Sequence, residues 1–470
     1  MRGRLTGGML SGSVVLVALG IGLGSAEAQN TLPWAETAVE LRDRALADNI
    51  AYEIVEGLTL FGPRLAGTDA DHRAAAWGAE RMRGLGFENV RIEEFPLLVW
   101  TRGEERGEIV SPYPQPLVVT MLGGSPATPL EGVEAEAVLF ETWQELLDAP
   151  EGSLTGRIAV VLQPTPRTQT GSGYGSVSQI RFQGPAEAEA RGAVAFLMRS
   201  LGTHDRRSAN TGSTRMGVGI PSFAMSPPDA EQLVRVARHG PVRLRLVGLP
   251  PDPVQGHTQN VIGELVGRER PDEVIVIGGH IDSWDVSPGA LDDAAGIGIT
   301  TAAAKLIAEL PVRPRRTIRV VWWGAEEVSQ PEGGLAGARH YAETQDELGQ
   351  IPDHVIASES DFGAGLIFSL NLPPGMADTE LAREAMRILA PLGIHFDSAP
   401  ALSGGPDVIP LVRLGVPAFR LNQDGTDYFD YHHTPDDTIE RIDPARLDQN
   451  VAAWAALLWL IADSDIDFRR

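Results

Sequence analysis

His280 and Asp282 stand two residues apart in GGHIDSWD, directly after the apolar run of DEVIVIGG. In an extended chain that spacing puts both side chains on one face. A carboxylate so placed can hold the second nitrogen of an imidazole whose first nitrogen binds a metal. The next apolar run, TIRVVWWGAEE, ends on Glu326 and Glu327. Neighbours in a strand point to opposite sides, so this pair is expected to divide its work between two tasks. SESDFGAG repeats the two-residue spacing with Glu359 and Asp361, and YFDYHHTPDDT offers His432, His433, Asp436 and Asp437. PGALDDAAGIG sets Asp292 and Asp293 at the mouth of a helix rich in small residues.

Taken singly, each has a plain structural reading. Asp293 fits a helix N-cap, His433 a satisfied surface histidine, and Glu359 the solvated end of a strand. Their convergence on one edge of one sheet is what points to chemistry, because ligands of open α/β sheets bind outside the carboxyl ends of the strands. A donor set of His, Asp and Glu without cysteine suits zinc, manganese or cobalt, and several carboxylates suit a pair of ions. Two ions about 3.5 to 4 Å apart polarise a carbonyl and generate hydroxide near neutral pH, which is hydrolytic chemistry. A nucleophilic side chain has little support: cysteine is absent, and neither a G-x-S-x-G elbow nor a G-x-x-x-x-G-K-[ST] loop occurs. GSGYGS at 171–176 lacks the spacing of a dinucleotide fingerprint and reads as a flexible loop.

The elements that must position these groups follow from periodicity. After His257 the chain alternates strand and helix: DEVIVIGG, AGIGITTAAAKLIAEL, TIRVVWWG, GGLAGARHYAET, HVIASES, ADTELAREAMRILAPLG and VPAFRLN. That rhythm predicts an α/β fold, a mostly parallel central sheet flanked by helices. The final helix, ARLDQNVAAWAALLWLIADSD, is expected to bury Trp454 and Trp459. Upstream, apolar residues at helical spacing predict one helix over 35–60, and Thr68 or Asp69 caps a second that runs to about Gly84. ENVRIEEFPL then alternates like a strand. Short strand-like runs between 111 and 248, among them AEAVLF, GRIAVVL, AVAFLM and VRLRLVG, predict a small β-rich domain with a few helices. It would interrupt a discontinuous domain of residues 29–110 and 249–470.

A chain of 470 residues, 43% hydrophobic, is long enough for a large core and for about two to three domains. Its net charge of −24 argues against a nucleic-acid partner, and its plainest role is solubility. Residues 1–28 carry Arg2 and Arg4, an apolar run and an A-x-A ending, the pattern of a cleaved secretory signal peptide. Cleavage would leave no stable membrane span and shift the net charge to −25, since the segment holds two arginines and Glu27. A retained anchor is the alternative, because the run approaches the roughly 18 residues of a span. Export without a single cysteine suits a bacterial periplasm or exterior, hence a secreted or periplasmic location.

The series HIDSWD, ALDDAAG, GAEEV, SESD and HHTPDDT resembles the secreted co-catalytic zinc exopeptidases of the bacterial leucyl aminopeptidase family. YFDYHHT and GHIDSWDVSPGALDD are most similar to its carboxypeptidase Q (plasma glutamate carboxypeptidase) branch, and FGPRLAGT matches the segment before an inserted domain. The stretch around GRIAVVL, GAVAFLM and IPSFAMS resembles a protease-associated domain inserted at 111–248. The resemblance implies two zinc ions: His280 and Asp361 on one, Glu327 and His433 on the other, Asp292 bridging. It implies Glu326 as general base, Asp282 orienting His280, a cis Asp292–Asp293 peptide, and Asp293 and Asp437 as outer support. SGGPD at 403–407 matches only loosely the segment where relatives carry substrate-contacting and oxyanion-stabilising groups, which makes Asp407 and Tyr428 candidates for substrate contact. Substrates would be dipeptides or peptide N-termini, and the insert a lid or a homodimer surface. Two other functions share the fold: a glutaminyl cyclase, which would hold one zinc, and a non-catalytic binding protein of the transferrin-receptor type, which would lack ligands.

Overall fold

DEVIVIGGH and TIRVVWW become the neighbouring parallel strands Arg270–His280 and Arg316–Trp323, buried on both faces as their unbroken apolar runs require. In this computed structural model residues 33–469 are described, with Gly3 alone before them. The expected signal peptide therefore lies outside the described residues, Gly3 apart. His280 and Trp323 pair across the two strands, so both strands end at one level. The strand His354–Glu359 pairs in parallel on the other side of Arg270–His280, with Glu359 opposite Gly278. Three strand ends thus bring His280, the Glu326–Glu327 loop and Asp361 to a single edge.

These three strands are parallel and Glu88–Val99 runs the same way, whereas Val254–Leu265, which pairs between Glu88–Val99 and Arg316–Trp323, runs antiparallel to them. The sheet order is Glu88–Val99, Val254–Leu265, Arg316–Trp323, Arg270–His280, His354–Glu359. Only residues 266–269 separate Val254–Leu265 from Arg270–His280. So short a connection reverses the chain, since a parallel return needs a crossover of roughly a dozen residues or more. Helices cover both faces. Ala336–Glu347 packs Ala338, Tyr341 and Ala342 against Val276, Val321 and Trp323. On the other face Ala295–Ala308 lies between Ala51–Thr59 and Pro444–Asp463, with Trp454 and Trp459 buried as expected.

The single helix expected over 35–60 is two, Pro33–Ala47 and Ala51–Thr59. Asn49 makes the break: its side-chain oxygen accepts from the Ala51 amide at 2.9 Å, a local bond that competes with helix continuation. Thr68 caps Asp69–Gly84, accepting from the Asp71 amide.

The strands between Glu104 and Leu249 form a separate eight-stranded sheet with its own apolar clusters on either side. Its centre is parallel, Val133–Phe140, Ile158–Val161, Ala195–Arg199 and Ser222–Met225, with Gln179–Ala190 and Pro227–Ala237 among its helices. Among the described residues no helix is long and apolar enough to cross a membrane.

Candidate metal centre

Asp292 lies between two histidines and turns one carboxylate oxygen to each. Its Oδ1 is 3.2 Å from His280 Nε2, and its Oδ2 is 3.1 Å from His433 Nε2. His433 Nε2 also lies 2.9 Å from Glu327 Oε2, and His280 Nε2 lies 3.7 Å from Asp361 Oδ1. Five side chains from five segments of the chain meet in this way, and all but the partly buried Asp361 are buried. His432 stacks on His433 with centroids 3.5 Å apart and puts its own Nε2 3.5 Å from Asp292 Oδ2. Among the described residues three triads have ligand atoms within 4.8 Å of one another: Asp292, His432 and His433; His280, Asp293 and Asp361; His280, Asp292 and Glu327. Buried Asp292 Oδ2 and Glu327 Oε1 have no hydrogen-bond partner among the described residues. Buried carboxylate oxygens rarely go unsatisfied, and oxygens with imidazole nitrogens converging on one space fit divalent cations.

The loops are held by a second ring of groups. Asp282 lies closer to His280 through its backbone than through its carboxylate. Its Oδ1 is 3.7 Å from His280 Nδ1, while its backbone oxygen sits 3.0 Å from that nitrogen. The carboxylate also accepts the backbone amides of Glu326 and Glu327, one on each oxygen. Asp437 does likewise for the amides of Leu291 and Asp292, at 2.6 and 3.2 Å. Asp293 accepts from the Gly296 amide in the first helical turn, as a capping carboxylate does, and from the His280 amide. Gly296 has no alternative there: a Cβ would lie 1.7 Å from Ser360 O. The Asp292–Asp293 peptide is cis, as the resemblance implies.

Strand alternation does not separate Glu326 from Glu327. The strand ends at Trp323 and Ala325 has φ 55°, so the glutamates sit on a loop and both line the same cavity. Their tasks are separated by what each touches: Glu327 meets His433, while half-buried Glu326 faces the cavity.

The field is strongly negative. Burial opposes the charge of both histidines, yet Asp282, Asp292 and Asp361 hold His280 well above the usual imidazole range, and Glu327 with Asp292 pushes His433 up to about 9. Burial raises Glu326 well above the carboxylate range, with Glu327, Asp361 and Asp282 adding to it against His280. Burial and Asp361 likewise push Glu359 up to about 8. A bound cation acts in the opposite sense on each carboxylate.

A cavity of about 740 Å³ opens over these groups, lined among others by Tyr174, Arg181, Ser213, Glu326, Asp361 and Tyr428. Tyr428 is thus one of the residues that line it. Asp407 is not: it is fully buried, its amide donates to Glu359 Oε2 at 2.7 Å, and its neighbour Pro406 faces the cavity. GSGYGS is a one-turn helix, Ser172–Gly175, whose Tyr174 stacks on Phe429 at 4.4 Å and meets His432 edge-on. Trp284 and Arg64 also went unnoticed in the sequence. Trp284 Nε1 donates to Glu327 Oε2 at 2.6 Å, and its place two residues after Asp282 was the available signal. Buried Arg64, within FGPRLAGT, donates to Ile281 O, Pro288 O and Gly289 O and so ties the His280 strand end to the Asp292 loop.

Residues 260–458 match the profile of Peptidase family M28. Carboxypeptidase Q of Bos taurus is 31% identical over 437 residues, covering 91% of this chain and 89% of the relative. The crystal structure of a peptidase M28 precursor from Shewanella amazonensis SB2B superposes with a TM-score of 0.88 at 42% identity, over 93% of this chain and 98% of that one. A zinc aminopeptidase from Bacillus subtilis shares the fold, with a TM-score of 0.61 at 22% identity over 89% and 96% of the two chains. Family profile, near-full-length relatives and fold agree, and on them this chain belongs to Peptidase family M28 and is a metallopeptidase.

Proposed function

We propose that the chain is a two-zinc exopeptidase that hydrolyses dipeptides or removes N-terminal residues from peptides. The observation that carries this reading is Asp292, with one carboxylate oxygen toward His280 and the other toward His433. In this reading His280 and Asp361 hold one ion, Glu327 and His433 hold the other, and Asp292 bridges them. The names of relatives, a zinc aminopeptidase and carboxypeptidase Q, support zinc and exopeptidase action; manganese or cobalt are possible substitutes. When bound, the ion pair supplies Lewis-acid polarisation of the scissile carbonyl and acidifies a water.

The chain's own residues do the rest. Glu326 takes a proton from the attacking water at a carboxylate oxygen and returns it to the leaving amine as the C–N bond breaks. Burial, which raises its proton affinity, suits it to both transfers. Asp282 and Asp437 hold the Glu326–Glu327 and Leu291–Asp292 backbones in register through paired amides. The acidic cavity favours a free α-amino group over an anionic one. Tyr174, Arg181 and Ser213 lend support to reading residues 111–248 as a protease-associated-like insert that walls the cavity. The signal-like first 28 residues support export.

Elemental analysis after dialysis, paired with a panel of aminoacyl and dipeptide substrates with and without chelator, tests the reading. Two zinc per chain and chelator-sensitive hydrolysis are expected. One zinc with cyclisation of N-terminal glutamine would point instead to an acyltransferase, and no bound metal would leave a binding protein.

A further inference from the structure

Residues 210–213, in the loop between the strands Ala195–Arg199 and Ser222–Met225, run along the backs of two proposed ligand residues. Asn210 Nδ2 donates to His432 O at 2.6 Å. The Thr211 amide donates to His433 O at 3.0 Å, and Thr211 O lies 3.2 Å from His433 Nδ1. The buried hydroxyl of Ser213 donates to Glu327 O at 2.8 Å and accepts from the Ser329 amide at 2.9 Å, closing a bridge across Val328. One short segment from outside the five-stranded sheet thus grips both the Glu327 loop and the His432–His433 loop.

The grip matters because His433 has φ 61°, a left-handed conformation that a side chain other than glycine adopts only when its surroundings hold it. It also bears on the tautomer. His433 Nδ1 faces Thr211 O and, at 3.3 Å, Arg181 Nη1. Thr211 O is an acceptor, so a proton on Nδ1 donates to it and leaves the Nε2 lone pair turned toward Glu327 and Asp292. Were Arg181 the donor to Nδ1, Nε2 would carry the proton and could bind no ion. His280 is held differently, by Asp282 O at Nδ1 and by Asp293 at its amide, both on loops of the five-stranded sheet.

We infer that Asn210 and Ser213 are positioning residues for one half of the metal pair, so that segment 210–213 sets the occupancy of the Glu327–His433 position without touching the ion. The inference rests on the two-ion reading above. Outer partners of metal ligands typically change affinity by about 10- to 100-fold. The coupling is reciprocal: an ion that the clamp favours must in turn favour the clamp.

The test is a stepwise titration of the chelator-stripped full chain with Co²⁺, followed by its visible absorption, in the wild type, Ser213→Ala and Asn210→Ala. The wild type is expected to take two equivalents. Each variant is expected to bind the first as the wild type does and the second about 10- to 100-fold more weakly. Two unchanged steps in both variants, or two steps weakened alike, overturn the inference and leave the two-ion reading standing. A wild type that takes fewer than two equivalents overturns both. Hydrogen exchange on the wild type serves if a variant does not fold: the amides of Thr211 and Ser329 should gain protection with the second equivalent and not the first. Unchanged protection overturns the inference.

Discussion

Asp282 fixes the direction of Glu326 through the backbone: its Oδ1 accepts the Glu326 amide at 3.1 Å, while Oδ2 takes the next amide, that of Glu327, at 3.2 Å. A carboxylate that accepts two successive amides sets the course of a loop that no strand ladder holds. Asp282→Asn keeps the volume but turns an N–H donor toward one of those amides. Turnover is expected to fall by about 10- to 100-fold, with a matching loss of metal affinity. Steady-state rates and zinc content measured together check this; a rate within twofold of wild type would mean the amides are held by something else.

Glu326→Gln keeps size and hydrogen bonding but removes the proton acceptor. The variant is expected to retain the wild-type metal content and to lose about 10²- to 10⁴-fold in kcat. Near-normal hydrolysis with full metal content would sink its assignment as the base.

Trp284→Phe deletes the Nε1–H that meets Glu327 Oε2 at 2.6 Å and keeps an aromatic ring in place. A hydrogen bond to a charged group contributes about 1.5 to 3 kcal/mol, so zinc affinity is expected to drop by about tenfold or more. Competition with a chromophoric chelator measures this. Unchanged affinity would show that Glu327 needs no such partner.

His354 lies on the face of the sheet where Arg319, Tyr341 and the imidazole are linked in series, with Arg319 Nη1 2.6 Å from the Tyr341 oxygen and that oxygen 2.8 Å from His354 Nε2. Burial, with Arg319 and Arg469 adding to it, lowers its pKa to about 4, against about 6.5 in the unfolded chain. The unfolded state therefore binds more protons between those values. Its contribution to stability is full above about 6.5 and lost as pH falls toward 4, about 3 kcal/mol in all. Urea unfolding at pH 7.5 and pH 4.5 should show a larger acid loss in wild type than in His354→Gln. Equal losses would mean that the histidine is already charged in the folded protein.

Much of the site was legible because its ligands sit beside local signals. His280 closes an apolar run and Asp292 and Asp293 open a small-residue helix, so periodicity carries them to one sheet edge. His432 and His433 instead follow Arg420–Gln423, a strand of a separate three-stranded sheet, because an apolar run does not encode which sheet it joins. Local pattern failed where the chain leaves regular structure. Alternation could not describe Glu326 and Glu327 once Ala325 took a positive φ, and the two-residue spacing of His280 and Asp282 carried no sign that the carboxylate also accepts two amides more than 40 residues away.

The residue types available for metal chemistry and the local elements that carry them were determined by the sequence itself, since each depends on side-chain identity and short-range spacing. Which groups hold those ligands was decided only by tertiary structure. Arg64 reaches Gly289 across 225 residues, Ser213 reaches Glu327 across 114, and Thr211 reaches His433 across 222. Hydrogen bonds to backbone atoms impose no pattern on the sequence of the acceptor, because every residue carries the same carbonyl and nearly every one the same amide.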